Sequence, residues 1–376
     1  MSDNACADAE ARRRAASEFA TTFLVEAGAG TGKTTVLLSR LLALVRSGRS
    51  RVDRLAAITF SEKSAAELRL RLRAELEIAL VGPLTEEERT NLRNARWQLD
   101  RAQITTVHAF CAALLRERPV EARVDPHFST LSQFEARLVQ TEVWREWLAQ
   151  EMDHSPAVLK QALRAGLTLT HIETLRDFVL EQRDCLALLP APVASPFAEL
   201  QVKGPPLLAR LRERKSACRT SADRALTLIQ RLEALVPKDG DEVRWEQFVL
   251  HEPREIIASS TIGAKANWHP SSTLDEARSL LRQLTEMYVE ARGCWLHNLS
   301  VGLVQWLKGY LQAYDDKKRE QSRLDFTDLL LVTRDLVKTN FDVRRYFQRR
   351  FDCLLVDEFQ DTDPLQAEIV FFLAEQ

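Results

Sequence analysis

Short apolar runs that end in polar residues occur near the start of the chain and again near its end. They cover residues 22–25, 55–60, 103–107 and 353–356. Each run is about as long as a buried strand, and each is followed by residues typical of a turn or of a helix start. Because strands alternating with helices are typical of parallel sheets, the pattern predicts an α/β fold.

Helical periodicity fills the segments between these runs. We predict one helix over residues 8–20, one from 33 to about 47, and one from a capping serine at 61 to about 80. The middle of the chain differs, because amphipathic helical segments such as 134–151 and 274–292 dominate it. Prolines are expected to interrupt the helices there, at Pro190, Pro192, Pro196 and Pro205-Pro206.

A glycine-rich loop directly follows the first apolar run. It begins at Ala27, where the strict phosphate-loop pattern has glycine, so a merely flexible turn is the alternative. Glycines let such a loop fold around a phosphate with its N–H groups pointing inward, and the next helix directs its positive end at the same anion. We expect Lys33 to reach the β- and γ-phosphates and Thr34 to bind Mg²⁺. The residues predicted to bind ATP in this segment are Ala27, Gly28, Ala29, Gly30, Thr31, Gly32, Lys33, Thr34 and Thr35.

Two adjacent carboxylates end the last apolar run. Asp357 is predicted to support Mg²⁺, and Glu358 to polarise the water that attacks the nucleotide. Lys33 and Glu358 are therefore the candidate catalytic residues, and Gln360 is a further candidate for nucleotide binding. A solvated acidic turn after a strand is the alternative. Because the acidic pair occurs in the same chain as a phosphate loop, nucleotide hydrolysis is favoured over that alternative.

Aromatic residues stand at the ends of the second and third apolar runs. Parallel sheets of α/β proteins bind ligands at the carboxyl edge of their strands. Phe60 and Phe110 could therefore stack on nucleic-acid bases, which contributes about 1–3 kcal/mol per base in single-strand binders. A core position for either ring is the alternative.

Composition narrows the class of protein only a little. The chain has 376 residues, a formal net charge of −2 and 28% charged residues, so its global charge neither supports nor excludes a nucleic-acid partner. Its six cysteines and seven histidines are scattered, which predicts free thiols and no structural zinc. We expect no membrane span and a cytoplasmic location, because no apolar run is long enough and the N-terminus is polar.

Five motifs in order resemble those of UvrD/Rep-like superfamily 1 DNA helicases, and more closely the RecB/AddA-type branch. They are VEAGAGTGKT (25–34), TFSEKSAA (59–66), TTVHAFC (105–111), LDFTDLL (324–330) and VDEFQDT (356–362). The resemblance implies a RecA-like P-loop NTPase lobe formed by residues 1–120 and 324–376. Residues 121–323 would then form a large inserted all-helical domain.

The resemblance also implies an activity. Such a motor hydrolyses ATP to step along single-stranded DNA and to separate the duplex, in recombination and repair. Residues in matching positions are implied to contact DNA: Thr59, Phe60, Lys63, His108 and Phe110.

Two departures from the family pattern limit these expectations. The helix before the loop reads Asp8-Ala9-Glu10-Ala11-Arg12, without the glutamine that reads adenine in the family, so base preference stays open. The chain also stops at Gln376, before the second lobe and before the strand that the family places between the phosphate-loop strand and the strand preceding Asp357. We therefore expect a gap in the sheet and a motor part that is inactive alone.

Two other functions stay open. One is a non-catalytic module that binds ATP and single-stranded DNA and needs a partner chain supplying the second lobe. The other is an unrelated phosphate-loop enzyme, such as a small-molecule kinase. Besides single-stranded or duplex DNA, the expected partners are a chain with the second motor lobe or a nuclease subunit.

Overall fold

A computed structural model of the chain describes residues 9–26, 28, 30–237, 241–251 and 261–375. Two predicted nucleotide-binding residues, Ala27 and Ala29, lie outside this part of the chain. The structure divides into two compact units, one comprising residues up to 140 together with those from 316 onward, and one comprising residues 141–315.

The strands lie in the first unit and form two parallel sheets. They are β1 (Leu55–Thr59), β2 (Gln103–Thr106), β3 (Ser129–Thr130), β4 (Arg323–Leu324) and β5 (Cys353–Val356). The larger sheet has the order β2-β1-β5, with Ala57 aligned with Ile104 on one side and with Leu355 on the other. The predicted α/β class with a parallel sheet is therefore confirmed. The smaller sheet pairs β3 with β4.

Helices make up most of the described chain. In chain order they are α1 (Ala9–Ser17), α2 (Lys33–Arg46), α3 (Glu62–Val81), α4 (Glu86–Trp97), α5 (Val107–Glu117), α6 (Pro119–Ala122), α7 (Gln133–His154), α8 (Ala157–Arg164), α9 (Leu169–Glu181), α10 (Ala198–Arg214), α11 (Arg224–Leu235), α12 (Glu242–His251), α13 (Ser272–Glu320), α14 (Phe326–Thr339), α15 (Phe341–Arg350) and α16 (Pro364–Ala374). Only α7 and α13, among the described helices, contribute residues to both units.

Strand β1 is buried on both of its faces. Leu55 and Ala57 pack into a core with α2, α3 and α4, while Ala56 and Ile58 pack into a second core with α5, α14, α15 and α16. Successive side chains of a strand point to opposite faces, which explains why this run is continuously apolar. The sheet therefore lies between two helical layers.

The predicted strand over residues 22–25 is wrong. Residues 22–26 are not assigned to a strand, and Leu24 is 71% exposed. In the described sheet β5 pairs with β1 on one side, and no strand is assigned on its other side. An apolar run forms a strand only where a neighbouring strand accepts its backbone hydrogen bonds, and residues 22–26 have no such neighbour among the described strands.

The second unit consists of helices around its own aromatic core. The rings of Trp147 and Trp306 lie 4.7 Å apart, and those of Trp144 and Tyr310 lie 5.3 Å apart. The Arg176 guanidinium lies 4.9 Å from the Trp144 ring centroid, where the positive charge meets the negative face of the ring. These aromatic residues are core anchors of the unit.

Candidate functional site

The glycine-rich loop leads directly into α2, which begins at Lys33 as predicted. Gly32 is the residue before the helix, with a φ of 93°, and Gly30 has a φ of 75°. Both angles lie in the left-handed region, where glycine has no steric cost. The Thr31 hydroxyl donates to the Gly28 carbonyl oxygen over 2.7 Å. The first N–H groups of a helix have no acceptor within the helix itself, so the N-terminus of α2 is a position that suits an anion.

The acidic pair stands at the carboxyl end of β5. The Asp357 N–H donates to the Ile58 carbonyl oxygen over 2.8 Å, which ties the pair to the central strand. Glu358 has a φ of 53°, and its N–H donates to Asp357 Oδ1 over 3.1 Å. The Gln360 side-chain amide donates to the Glu358 carboxylate. The three predicted residues therefore lie within one short turn.

The loop and the acidic pair face each other. Lys33 Nζ lies 3.8 Å from Glu358 Oε2, and their side chains are 29% and 43% exposed. More than 300 residues of sequence separate the two groups, and their approach follows from α2 and β5 belonging to one unit. This arrangement places a cation, an acid pair and a helix N-terminus around one partly open space.

The environment of Asp357 suits a cation. Partial burial raises the pKa of Asp357 above its ordinary value, and the neighbouring Glu358 charge raises it further. A divalent ion there would offset both effects. Mg²⁺ is commonly held by one or two protein oxygens with phosphates and water supplying the rest, and the Asp357 carboxylate with the Thr34 hydroxyl fits that donor set.

A small pocket of about 20 Å³ lies at the carboxyl ends of β1 and β5. Thr59, Asp357, Glu358 and Thr362 contribute to its lining. Its volume is close to that needed by a single water molecule. The acidic pair therefore borders a space in which a water could be held next to a carboxylate.

The candidate DNA contacts at the end of β1 divide by exposure. Phe60 is 69% exposed, and Lys63 is exposed in the first turn of α3. Thr59 is only 2% exposed, and its hydroxyl donates to the Ser61 carbonyl oxygen over 3.1 Å. Phe60 and Lys63 are therefore accessible to a ligand, whereas Thr59 stabilises the turn that presents them.

The other two candidates lie on a helix and not at a strand end. Strand β2 ends at Thr106, whose side chain caps α5, so His108 and Phe110 stand in the first turns of that helix. Phe110 is fully buried, with its ring 5.4 Å from that of Phe351. A base cannot stack on Phe110 in this structure, so Phe110 has the core position that was the alternative prediction.

His108 is partly buried and accompanied by a second aromatic ring. Its ring centroid lies 4.9 Å from that of Phe326, at the start of α14. Burial lowers the pKa of His108 below its ordinary value, and the nearby Asp363 charge partly opposes this. His108 is therefore favoured in its neutral form.

Two features next to these residues were not predicted from the sequence. The Arg12 side chain donates to the Thr31 carbonyl oxygen of the loop over 2.7 Å. Lys318 is buried between Asp325 and Asp328, with Nζ–Oδ2 distances of 3.2 and 2.5 Å. Asp325 and Asp328 are three residues apart, a spacing that is typical of a helix cap. No local pattern in the sequence indicates that Lys318 pairs with them or that Arg12 contacts the loop.

Two further features, a cluster of metal-binding side chains and a membrane-spanning helix, do not occur in the described residues. They hold no group of three or more His, Cys, Asp or Glu side chains arranged to bind a metal ion. No described helix is both long and apolar enough to cross a membrane.

Comparison with known proteins extends these observations. The model of the UvrD/REP helicase N-terminal domain family matches residues 8–376. The chain is 24% identical to an ATP-dependent helicase/nuclease subunit of Syntrophomonas wolfei, covering 94% of this chain and 31% of that protein. Proteins of the same name from Pediococcus pentosaceus and Latilactobacillus sakei are 24% and 25% identical, and the match covers 32% and 45% of their lengths. The chain thus spans about a third of the length of the first of these relatives.

Proposed function

Since the chain belongs to the UvrD/REP helicase N-terminal domain family, we propose that it binds and hydrolyses ATP as part of a DNA helicase motor. The relatives, which are named as ATP-dependent helicase/nuclease subunits, support the RecB/AddA-type branch of that class. The observation that carries the proposal is the approach of Lys33 to Glu358, at 3.8 Å, across the carboxyl edge of the sheet.

The residues at the carboxyl edge of the sheet have different proposed roles in nucleotide hydrolysis. Lys33 and the loop N–H groups bind the phosphates, and Thr34 with Asp357 holds Mg²⁺. Glu358 orients the attacking water and accepts its proton at a carboxylate oxygen. Bound Mg²⁺·ATP supplies the phosphoanhydride bond and the charge neutralisation that this chemistry needs.

Single-stranded DNA is the proposed second ligand. Phe60 offers an exposed ring for stacking, and Lys63, three residues later in the first turn of α3, offers a charge for a phosphate. His108 is proposed to contact DNA directly, beside Phe326. Thr59 would act by stabilising the turn that presents Phe60 and Lys63, and Phe110 would contribute only to the core.

The domain organisation is also a proposal. We propose a RecA-like lobe formed by residues 1–120 and 324–376, with 121–323 inserted as a helical domain. The pairing of β3 with β4 supports it, because this brings together the chain near residues 130 and 323, close to both proposed junctions. The compact helical unit over residues 141–315 supports it further.

A module that binds ATP and single-stranded DNA, and that needs a partner chain for turnover, is a second candidate. The openness of the site favours it, since the Glu358 side chain is 43% exposed and hydrolysis benefits from excluding bulk water. A second motor lobe or a nuclease subunit is the proposed partner. The names of the relatives, each of which is called a subunit, support such an assembly.

Nucleotide binding and turnover by the purified chain test the proposal. We expect Mg²⁺·ATP to bind, and Lys33→Ala to weaken that binding by about tenfold or more, since it removes a charge-assisted contact to phosphate. Glu358→Gln should keep the affinity and abolish turnover, because the amide cannot accept the proton.

The outcomes of these measurements separate the candidates. Weak DNA-stimulated turnover that both variants remove supports a motor part, and robust unwinding by the chain alone would contradict the expectation that this part is inactive by itself. ATP and DNA binding without any turnover supports the module. ATP binding unaffected by Lys33→Ala would count against both. Thermal melting of each variant provides the control for folding.

A further inference from the structure

Helix α1 is held against α2, the helix that follows the phosphate loop, by contacts of one arginine. Arg40 of α2 donates to the carbonyl oxygens of Ala15 and Glu18 over 2.6 and 3.0 Å. Its guanidinium also lies 5.8 Å from the centroid of the Phe19 ring. These contacts satisfy the Ala15 carbonyl, which the last turn of α1 leaves without a partner in the helix, and the Glu18 carbonyl just after it. The backbone that carries Arg12 is therefore anchored to α2.

From this anchored helix, Arg12 reaches the phosphate loop. One terminal nitrogen donates to the Thr31 carbonyl oxygen over 2.7 Å. The other lies 3.0 Å from where a Cβ on Gly32 would stand. Since Gly32 immediately precedes α2, the guanidinium lies against the N-terminal end of that helix. A Cβ at position 32 would be in tight contact with it, and the φ of 93° at this position also favours glycine.

Positive charge is concentrated at this end of α2. The N-terminus of a helix carries a partial positive charge, which disfavours cations beside it. Both Arg12 and Lys33 nevertheless converge there, and Lys33 faces Glu358 at 3.8 Å. Two full positive charges beside the positive end of a helix make this region attractive to a polyanion.

We infer that Arg12 is a second cationic residue of the phosphate site, which holds the loop at Thr31 and binds the polyphosphate of the nucleotide. The inference rests on the proposed function and adds a residue from α1 to it. A guanidinium has five N–H donors, so it can bond to Thr31 and to phosphate oxygens at the same time. Its planar fork matches phosphate geometry better than an ammonium group does.

Neighbouring arginines on α1 allow a matched test. Arg13 is exposed and pairs with Glu10 on the same helix, away from the loop contact that Arg12 makes. We expect Arg12→Ala to weaken binding of Mg²⁺·ATP and of inorganic tripolyphosphate by about tenfold, and Arg13→Ala by less than about twofold. Arg12→Lys, which keeps the charge but not the fork, should fall between them. Isothermal titration calorimetry measures all four proteins.

The tripolyphosphate measurement separates phosphate binding from general support of the fold. Wild-type affinity for tripolyphosphate in Arg12→Ala, or an equal loss in Arg13→Ala, would overturn the inference. If Arg12→Ala unfolds, Arg12→Lys decides alone, and unchanged tripolyphosphate affinity in that variant overturns the inference too. If Lys33→Ala weakens binding of tripolyphosphate but Arg12→Ala does not, only this inference is overturned. If Lys33→Ala leaves the affinity unchanged, the proposed function is overturned as well.

Discussion

Glu358 has a φ of 53°, a left-handed conformation that residues with a side chain seldom adopt. Such a conformation costs about 1–3 kcal/mol and persists where the surrounding structure enforces it. Here it occurs at the turn that follows β5, next to the half-buried Asp357 and opposite Lys33. The strain is consistent with a position where the direction of the carboxylate matters more than local stability.

Phe60 and Phe110 had the same signal in the sequence and have opposite environments in the structure. Both follow an apolar run, yet one ring is 69% exposed and the other is fully buried. The difference arises because helix α5 begins directly after β2, at Val107, and turns Phe110 into the core with Phe351. A strand-end pattern does not specify where the next helix begins to within one turn, so the sequence left both possibilities open.

This pair predicts opposite effects of one substitution. Phe110→Ala should lower the free energy of unfolding by about 3–5 kcal/mol, because it leaves a cavity in a packed core. Phe60→Ala should change stability little and weaken single-stranded DNA binding by about 1–3 kcal/mol. Urea denaturation and fluorescence anisotropy with a labelled oligonucleotide measure the two effects. Loss of DNA binding in a stably folded Phe110→Ala variant would contradict this assignment.

At the scale of an element, the start of α14 is held by a buried group of charges. Asp325 and Asp328 cap the helix reciprocally, and Lys318 contacts both carboxylates while only 3% exposed. Buried charges are tolerated when each is paired and hydrogen-bonded. The group fixes the helix turn that carries Phe326 against His108.

Because the cap of α14 also pairs with a buried lysine, we predict that substituting Asp325 destabilises the protein more than substituting an ordinary cap residue does. Asp325→Ala should lower the free energy of unfolding by about 3–5 kcal/mol, since it removes the cap and one partner of a buried lysine. The exposed capping box of α4, formed by Thr85 and Glu88, provides the control. There Thr85→Ala should cost about 1 kcal/mol. Urea denaturation measures both losses, and equal losses would show that the lysine contact contributes nothing.

Helix α10 shows where a local rule fails. Pro205 and Pro206 predicted a break, because proline removes a helical hydrogen bond and restricts the residue before it, yet α10 continues through both. Leu200, Leu207 and Leu211 are buried along its length. Burial of this apolar face outweighs the lost backbone bonds, and that balance depends on packing that is not local in sequence.

At the scale of the whole molecule, the order β2-β1-β5 places the last described strand beside the first. This long-range pairing brings the acidic pair to the phosphate loop. The Arg54 guanidinium donates to both carboxylate oxygens of Asp352, which adds a link between the starts of β1 and β5. The candidate nucleotide site therefore depends on β5 pairing with β1 and on α2 packing against the same sheet.

Because the second unit has its own aromatic core, we predict that it folds without the remainder of the chain. A fragment of residues 141–315 should melt cooperatively, because its buried tryptophans pack against partners from the same unit. Trp147→Ala in that fragment should lower the free energy of unfolding by about 3–5 kcal/mol. Tryptophan fluorescence and circular dichroism measure the transitions. A fragment without a cooperative transition would show that the helical unit needs the remainder of the chain.

The local chemistry of the sequence determined the starts of α2 and α3, the three strands of the larger sheet and the candidate phosphate and acid residues. Glycine spacing, cap residues and apolar runs act over a few neighbours, so they can be recognised one segment at a time. Tertiary structure alone decided that residues 22–26 remain outside the sheet, that Phe110 is buried and Phe60 exposed, and that Arg12 meets the loop. Each of these depends on which distant residues supply a strand partner, a packing surface or a carbonyl oxygen, and those contacts exist only after the chain has folded.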